Sequence, residues 1–196
     1  GVYHSVYDSY AWMSTFGDPG FTFHATSARL AAAMMMRMAN ADVLPYDYVE
    51  FARTMQKYVP AVQSALGAAG WKTLSAAPIA DAVTRMEQAA VAYQTARDNA
   101  LANGVSAAVA KNTNEALLKV ERALTRPEGL KTRPWFRNLI YVADENNGYA
   151  NMVFPSVNEA IRSGDQALTQ REILDLAMRF DAATAAVNAA RAALTP

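Results

Sequence analysis

Residues 169–196, TQREILDLAMRFDAATAAVNAARAALTP, decide the fold. Ile173, Leu176, Phe180, Ala183, Val187, Ala190 and Leu194 recur there at alternating spacings of three and four. An α-helix turns once in about 3.6 residues, so this alternation places them on one narrow stripe. Such a stripe is the seam of a helix packed lengthwise against other helices. Thr169 followed by Glu172 predicts a capping box at the start of this helix.

Three further segments read the same way. Residues 47–67 carry Tyr48, Ala52, Met55, Val59, Val62 and Leu66 on one stripe, with Asp47 and Glu50 as the expected box and Pro60 as an expected kink. Residues 78–104 carry Ile79, Val83, Met86, Ala90 and Tyr93, and Gly104 suits the C-terminal stop. Residues 106–126 carry Thr113, Leu117, Val120 and Leu124. At roughly 20 to 26 residues each, these helices would be about 30 to 39 Å long. Four matched amphipathic helices predict an all-α chain built as a four-helix bundle.

Two pieces lie outside the bundle. Residues 1 to 42 begin extended, and then Asp18-Pro19 opens an extra N-terminal helix, with Phe23, Leu30, Met34 and Met38 as its expected buried face. The run Met34, Met35, Met36 and Met38 is expected to face the rest of a parent domain. The second piece is a connection of about thirty residues, Arg126 to Pro155, whose prolines, Asn146-Asn147-Gly148 tip and strand-like NLIYV mark it as non-helical. Its aromatic residues predict one long ordered loop. After it, residues 155–164 predict a short helix boxed by Ser156 and Glu159.

Composition excludes several classes. Lys+Arg and Asp+Glu both number 18, so no global field favours nucleic acid or an anionic membrane. With no cysteine, disulfide and thiolate chemistry are absent. The most apolar run is broken by Arg29 and Arg37, and no stretch has the length of a membrane span. The chain begins at Gly1 rather than Met, as expected of a piece of a longer protein. No Asn-x-Ser/Thr sequon, phosphate loop or nucleophile elbow occurs. His4 and His24, the only histidines, are twenty residues apart and form no metal-ligand spacing. Lys131, Arg133 and Arg137 surround Trp135 and Phe136, and these arginines are expected to tie the loop to helix ends and acidic neighbours.

Six words, in order along the chain, carry a resemblance: YHSVYDSY (3–10), DPGF (18–21), VLPYDY (43–48), LLKVERALTRPEGL (117–130), RPWFRNLIYV (133–142) and YANMVFPSV (149–157). Together they resemble the C-terminal part of the glutamate carboxypeptidase and transferrin-receptor-like family. The resemblance implies that residues 1–42 end a zinc-peptidase domain and residues 43–196 form a helical dimerisation domain. It implies a homodimer, a peptide substrate in the parent enzyme, a loop that lines the substrate pocket, and a secreted, periplasmic or cell-surface location. No nucleic-acid partner and no membrane contact are expected within this segment.

By position, His4 matches the family's final zinc ligand, and Tyr3 matches the tyrosine that steadies the tetrahedral intermediate. The resemblance implies two zinc ions in the parent, which would polarise the scissile carbonyl and activate a bridging water. The other ligands and the general base would lie upstream, so the fragment alone is expected to be no enzyme and to hold no zinc. It is also expected to dimerise weakly or not at all. Asn147, Gly148 and Tyr149 match the substrate-binding tip. Gly148 stands where the family's lysine grips a substrate side-chain carboxylate, so preference for C-terminal glutamate is not expected by that route. The alternative is a non-catalytic, receptor-like or scaffold protein that uses the bundle for assembly only.

Overall fold

The computed structural model describes residues 2–194, which are mostly helical with one small sheet. They divide into two compact units, Gly1–Ala41 and Asp42–Pro196.

The first unit contains a short turn of helix, α1 (Tyr10–Trp12), a π turn over Met13–Gly17, a 3-10 turn over Pro19–Phe21, and helix α2 (Thr22–Ala39). Asp18 caps α2: its carboxylate accepts the backbone N–H of Phe23 at 3.1 Å and of His24 at 2.9 Å. The apolar face expected to be buried is not. Phe23 is 72% exposed, Leu30 63% and Met34 61%, and α2 has no buried residue. A single helix preceded by short turns offers no second layer against which to bury its stripe.

The second unit carries the core. Its helices are α3 (Tyr48–Ala68), α4 (Ala77–Asn103), α5 (Ala107–Ala123), α6 (Pro155–Arg162) and α7 (Gln166–Ala193). Helix α7 packs against α4, α5 and α6, and α4 packs also against α3. All the seam residues read from the α7 sequence are buried, Leu176, Phe180, Ala183, Val187 and Ala190 completely. The stripes of α4 and α5 are buried as well, and Pro60 sits inside α3 without ending it.

Two start signals act differently from the sequence reading. Helix α7 begins three residues before Thr169, capped by Asp165, whose carboxylate accepts the Leu168 N–H at 2.8 Å. Thr169 and Glu172 are buried within it. Helix α6 has no side-chain cap; it is entered through Phe154 at φ 49°. A left-handed phenylalanine is strained. It is held by complete burial of a ring that meets Phe180 edge-on at 6.2 Å. Ser156 and Glu159 are buried rather than boxed.

Between α5 and α6 the chain forms strands β1 (Tyr141–Ala143) and β2 (Asn151–Val153), paired antiparallel with Val142 opposite Met152. The long connection is thus an ordered hairpin on an ion-paired base.

Candidate functional site

The base of the connection is built from arginines. Arg126 lies just beyond α5, and its Nη1 donates to Glu172 at 2.7 Å and to Asp175 at 3.1 Å, while its Nε donates to the Gly129 carbonyl. Burial alone would lower the Arg126 pKa, but hydrogen bonds and charge from Glu172 and Asp175 outweigh it and hold the guanidinium above its ordinary value. Arg179 from α7 donates to the Thr125 carbonyl at 3.0 Å. Arg133 donates through Nε to Glu159 at 2.9 Å and through Nη1 to the Ala143 carbonyl at 2.8 Å, with its guanidinium carbon 4.8 Å from the Phe136 ring centre. Thr132 also donates to Glu159. Arg133 takes the loop-tying role expected of it, and Arg126 and Arg179, for which no such role was expected, share it. Arg133 faces inward while Trp135 beside it is 71% exposed, so the two do not form a shared stacking platform.

Gly129 sits at φ 69° where the chain folds back on Pro134; an ideal Cβ there would come within 1.9 Å of the Pro134 carbonyl oxygen. Only glycine fits this crossing.

The hairpin tip is a nest of local hydrogen bonds. Asp144 N–H donates to the Ala150 carbonyl at 2.8 Å, and Ala150 N–H to the Asn147 carbonyl at 2.9 Å. Asp144 accepts the Asn146 N–H at 2.8 Å, and Asn147 accepts the Tyr149 N–H at 3.1 Å. This brings Asn147, Gly148 and Tyr149 together at the outer end, where Tyr149 is 78% exposed and nothing lies within 4 Å of a Cβ built on Gly148. The tip is anchored by Arg162 in the last turn of α6, whose Nη2 meets Asp144 at 2.8 Å and Nη1 meets Glu145 at 3.2 Å. The hydrogen bond from Arg162 holds the Asp144 carboxyl below its ordinary value. Sequence reasoning missed this pair. The only available signal was an arginine ending a short helix that follows an acidic turn.

Tyr3 and His4 lie in the other unit, in a turn closed by the Ser5 N–H on the Val2 carbonyl at 3.0 Å. Both are exposed, their rings are 4.1 Å apart, and His4 has φ 64°. The second histidine, His24, lies with Nδ1 2.6 Å from the buried Asp18. Among the described residues no group of three or more His, Asp or Glu side chains could hold a metal ion.

A cleft of about 190 Å³ lies where α3, α5 and β1 meet, walled by Tyr46, Phe51, Leu118, Ile140 and Tyr141. Tyr48 donates to the Leu117 carbonyl at 3.0 Å at its edge. Burial, reinforced by the neighbouring Tyr46 and Tyr93, pushes the Tyr48 phenol above its ordinary range, so it remains a donor.

Residues 74–188 match the transferrin receptor-like dimerisation domain, and the chain belongs to that family. It is 29% identical over 164 residues to a probable glutamate carboxypeptidase of Arthroderma benhamiae, covering 84% of this chain and 23% of that protein. It is 25% identical over 202 residues to aminopeptidase NAALADL1 of Rattus norvegicus, covering 100% of this chain and 26% of the relative. An inactive zinc metalloprotease of Schizosaccharomyces pombe is 23% identical over 191 residues, covering 91% of this chain and 23% of its own length. The chain spans about a quarter of the length of these relatives. No helix among the described residues is long and apolar enough to cross a membrane.

Proposed function

We propose that this chain is the C-terminal dimerisation part of a zinc-dependent exopeptidase, with its four long helices, α3, α4, α5 and α7, acting as one bundle. The family match over residues 74–188 carries this reading. In it, residues 1–42 complete the peptidase domain, residues 43–196 assemble the homodimer, and the hairpin tip lines the peptide pocket of the full-length enzyme. The uncovered Met34 face of α2 packs against upstream peptidase residues. The described residues do not make a metal site by themselves. His4 is proposed as one ligand of a site completed upstream, and Tyr3 as a hydrogen-bond donor to the reacting group.

At the tip, Gly148 offers no cation to a substrate side chain, and Arg162 is committed to Asp144 and Glu145. Selection for C-terminal glutamate by this route is therefore not part of the reading. The test uses the full-length protein. Expected are a dimer by light scattering, peptidase activity lost by about a hundredfold or more in His4→Ala, and no strong preference for glutamate over leucine as the leaving residue. A strong glutamate preference abolished by Tyr149→Phe would sink the specificity part.

A second reading is a non-catalytic assembly protein, favoured by the likeness to a relative named as inactive. A zinc-free, inactive full-length dimer would establish it.

A further inference from the structure

The outer end of the hairpin faces solvent. Residues 145–149 are exposed, and their backbone is organised by two short carboxylate and amide side chains, Asp144 and Asn147. Such a turn interconverts readily unless something fixes it from outside. Arg162 does so: it stands on α6, which is itself packed on α7 and α3, and reaches the tip with both terminal nitrogens. The Asp144 side chain is 13% exposed and that of Arg162 46%, so one partner is largely out of water. The same carboxylate binds Arg162 through Oδ2 and orders the Asn146 N–H through Oδ1. Rigid helix, guanidinium, carboxylate and turn backbone form one chain of contacts.

We propose that Arg162 is the positioning residue of the substrate-facing tip, clamping Asp144 and Glu145 so that Gly148 and Tyr149 are presented in one fixed arrangement. The inference rests on the reading that this tip lines a peptide pocket. Two features give the clamp its specific form. A planar guanidinium can hold two carboxylates at once, which an ammonium does less well. The clamp also neutralises one of two adjacent acidic residues and leaves the tip with a net negative charge, in keeping with a pocket that does not select an anionic side chain.

The test compares Arg162→Ala, Arg162→Lys and Tyr149→Phe in the full-length protein, by hydrogen exchange of peptides spanning residues 141–153 and by steady-state kinetics on a leucine-leaving dipeptide. Arg162→Ala is expected to speed tip exchange and raise KM together, each by about two- to fivefold, the range of a partly exposed ion pair. The value of kcat should stay near wild type, peptides from α7 should exchange unchanged, and Arg162→Lys should recover part of both effects. Unchanged tip exchange in Arg162→Ala would overturn the clamp while leaving the pocket reading intact. Faster exchange without a change in KM, when Tyr149→Phe does change KM, would overturn the positioning role alone. Faster exchange with KM unmoved in both variants would overturn the pocket reading and this inference with it.

Discussion

Helices α2 and α7 are both rich in alanine and carry long apolar side chains at helical spacing, yet they meet opposite fates. Helix α7 lies against α4, α5 and α6 and buries a seam from Thr169 to Ala190, whereas α2 buries nothing. The difference is not in the hydrophobicity of the stripe. It is in whether the same compact unit supplies a second surface, because apolar area is stabilising only when it leaves water. An uncovered methionine stripe is therefore what a unit without a second layer leaves in water.

The largest expected effect that probes this contrast is in the seam. Phe180→Ala removes a completely buried ring that also supports strained Phe154, and should lower the stability of the chain by about 3–5 kcal/mol in urea unfolding. Next is the base of the loop. Arg133→Ala strands Glu159, whose side chain is 4% exposed, and should cost about 3 kcal/mol; replacing both partners with leucine or methionine should cost clearly less. Equal losses for the single and double variants, measured by calorimetry, would mean that packing rather than charge pairing holds the base. Gly129→Ala should destabilise by about 2 kcal/mol or more, since the new methyl would collide with Pro134 and the backbone would sit at φ 69°. A near-wild-type melting temperature would show that the crossing can open. The smallest effect belongs to α2: Met34→Ser should change the stability of this chain by no more than about 0.5 kcal/mol. A loss comparable to that of Phe180→Ala would erase the distinction between the two helices.

Much of the core was legible because helical period and burial are tied by simple geometry. Ile79, Val83 and Met86 on α4, and Leu117 and Val120 on α5, needed only their spacing to be placed inside. Helix starts were less legible. Thr169 with Glu172 and Ser156 with Glu159 both have the form of a capping box, but each glutamate is buried against an arginine from the loop. A four-residue pattern cannot register a partner 46 residues away in one case and 26 in the other. The candidate tip was found through likeness of its words rather than its chemistry, and the pair Arg162–Asp144, 18 residues apart, was not found at all.

By itself the sequence determined the long helices α3, α4, α5 and α7, their inward faces and the interruption between α5 and α6, since these follow from local period, propensity and turn residues. Tertiary structure alone decided which carboxylates hold which arginines, that Gly129 must have no side chain, and that the apolar face of α2 finds no cover within its own unit. Those outcomes depend on surfaces brought together across long separations, and no local pattern encodes which surface will arrive.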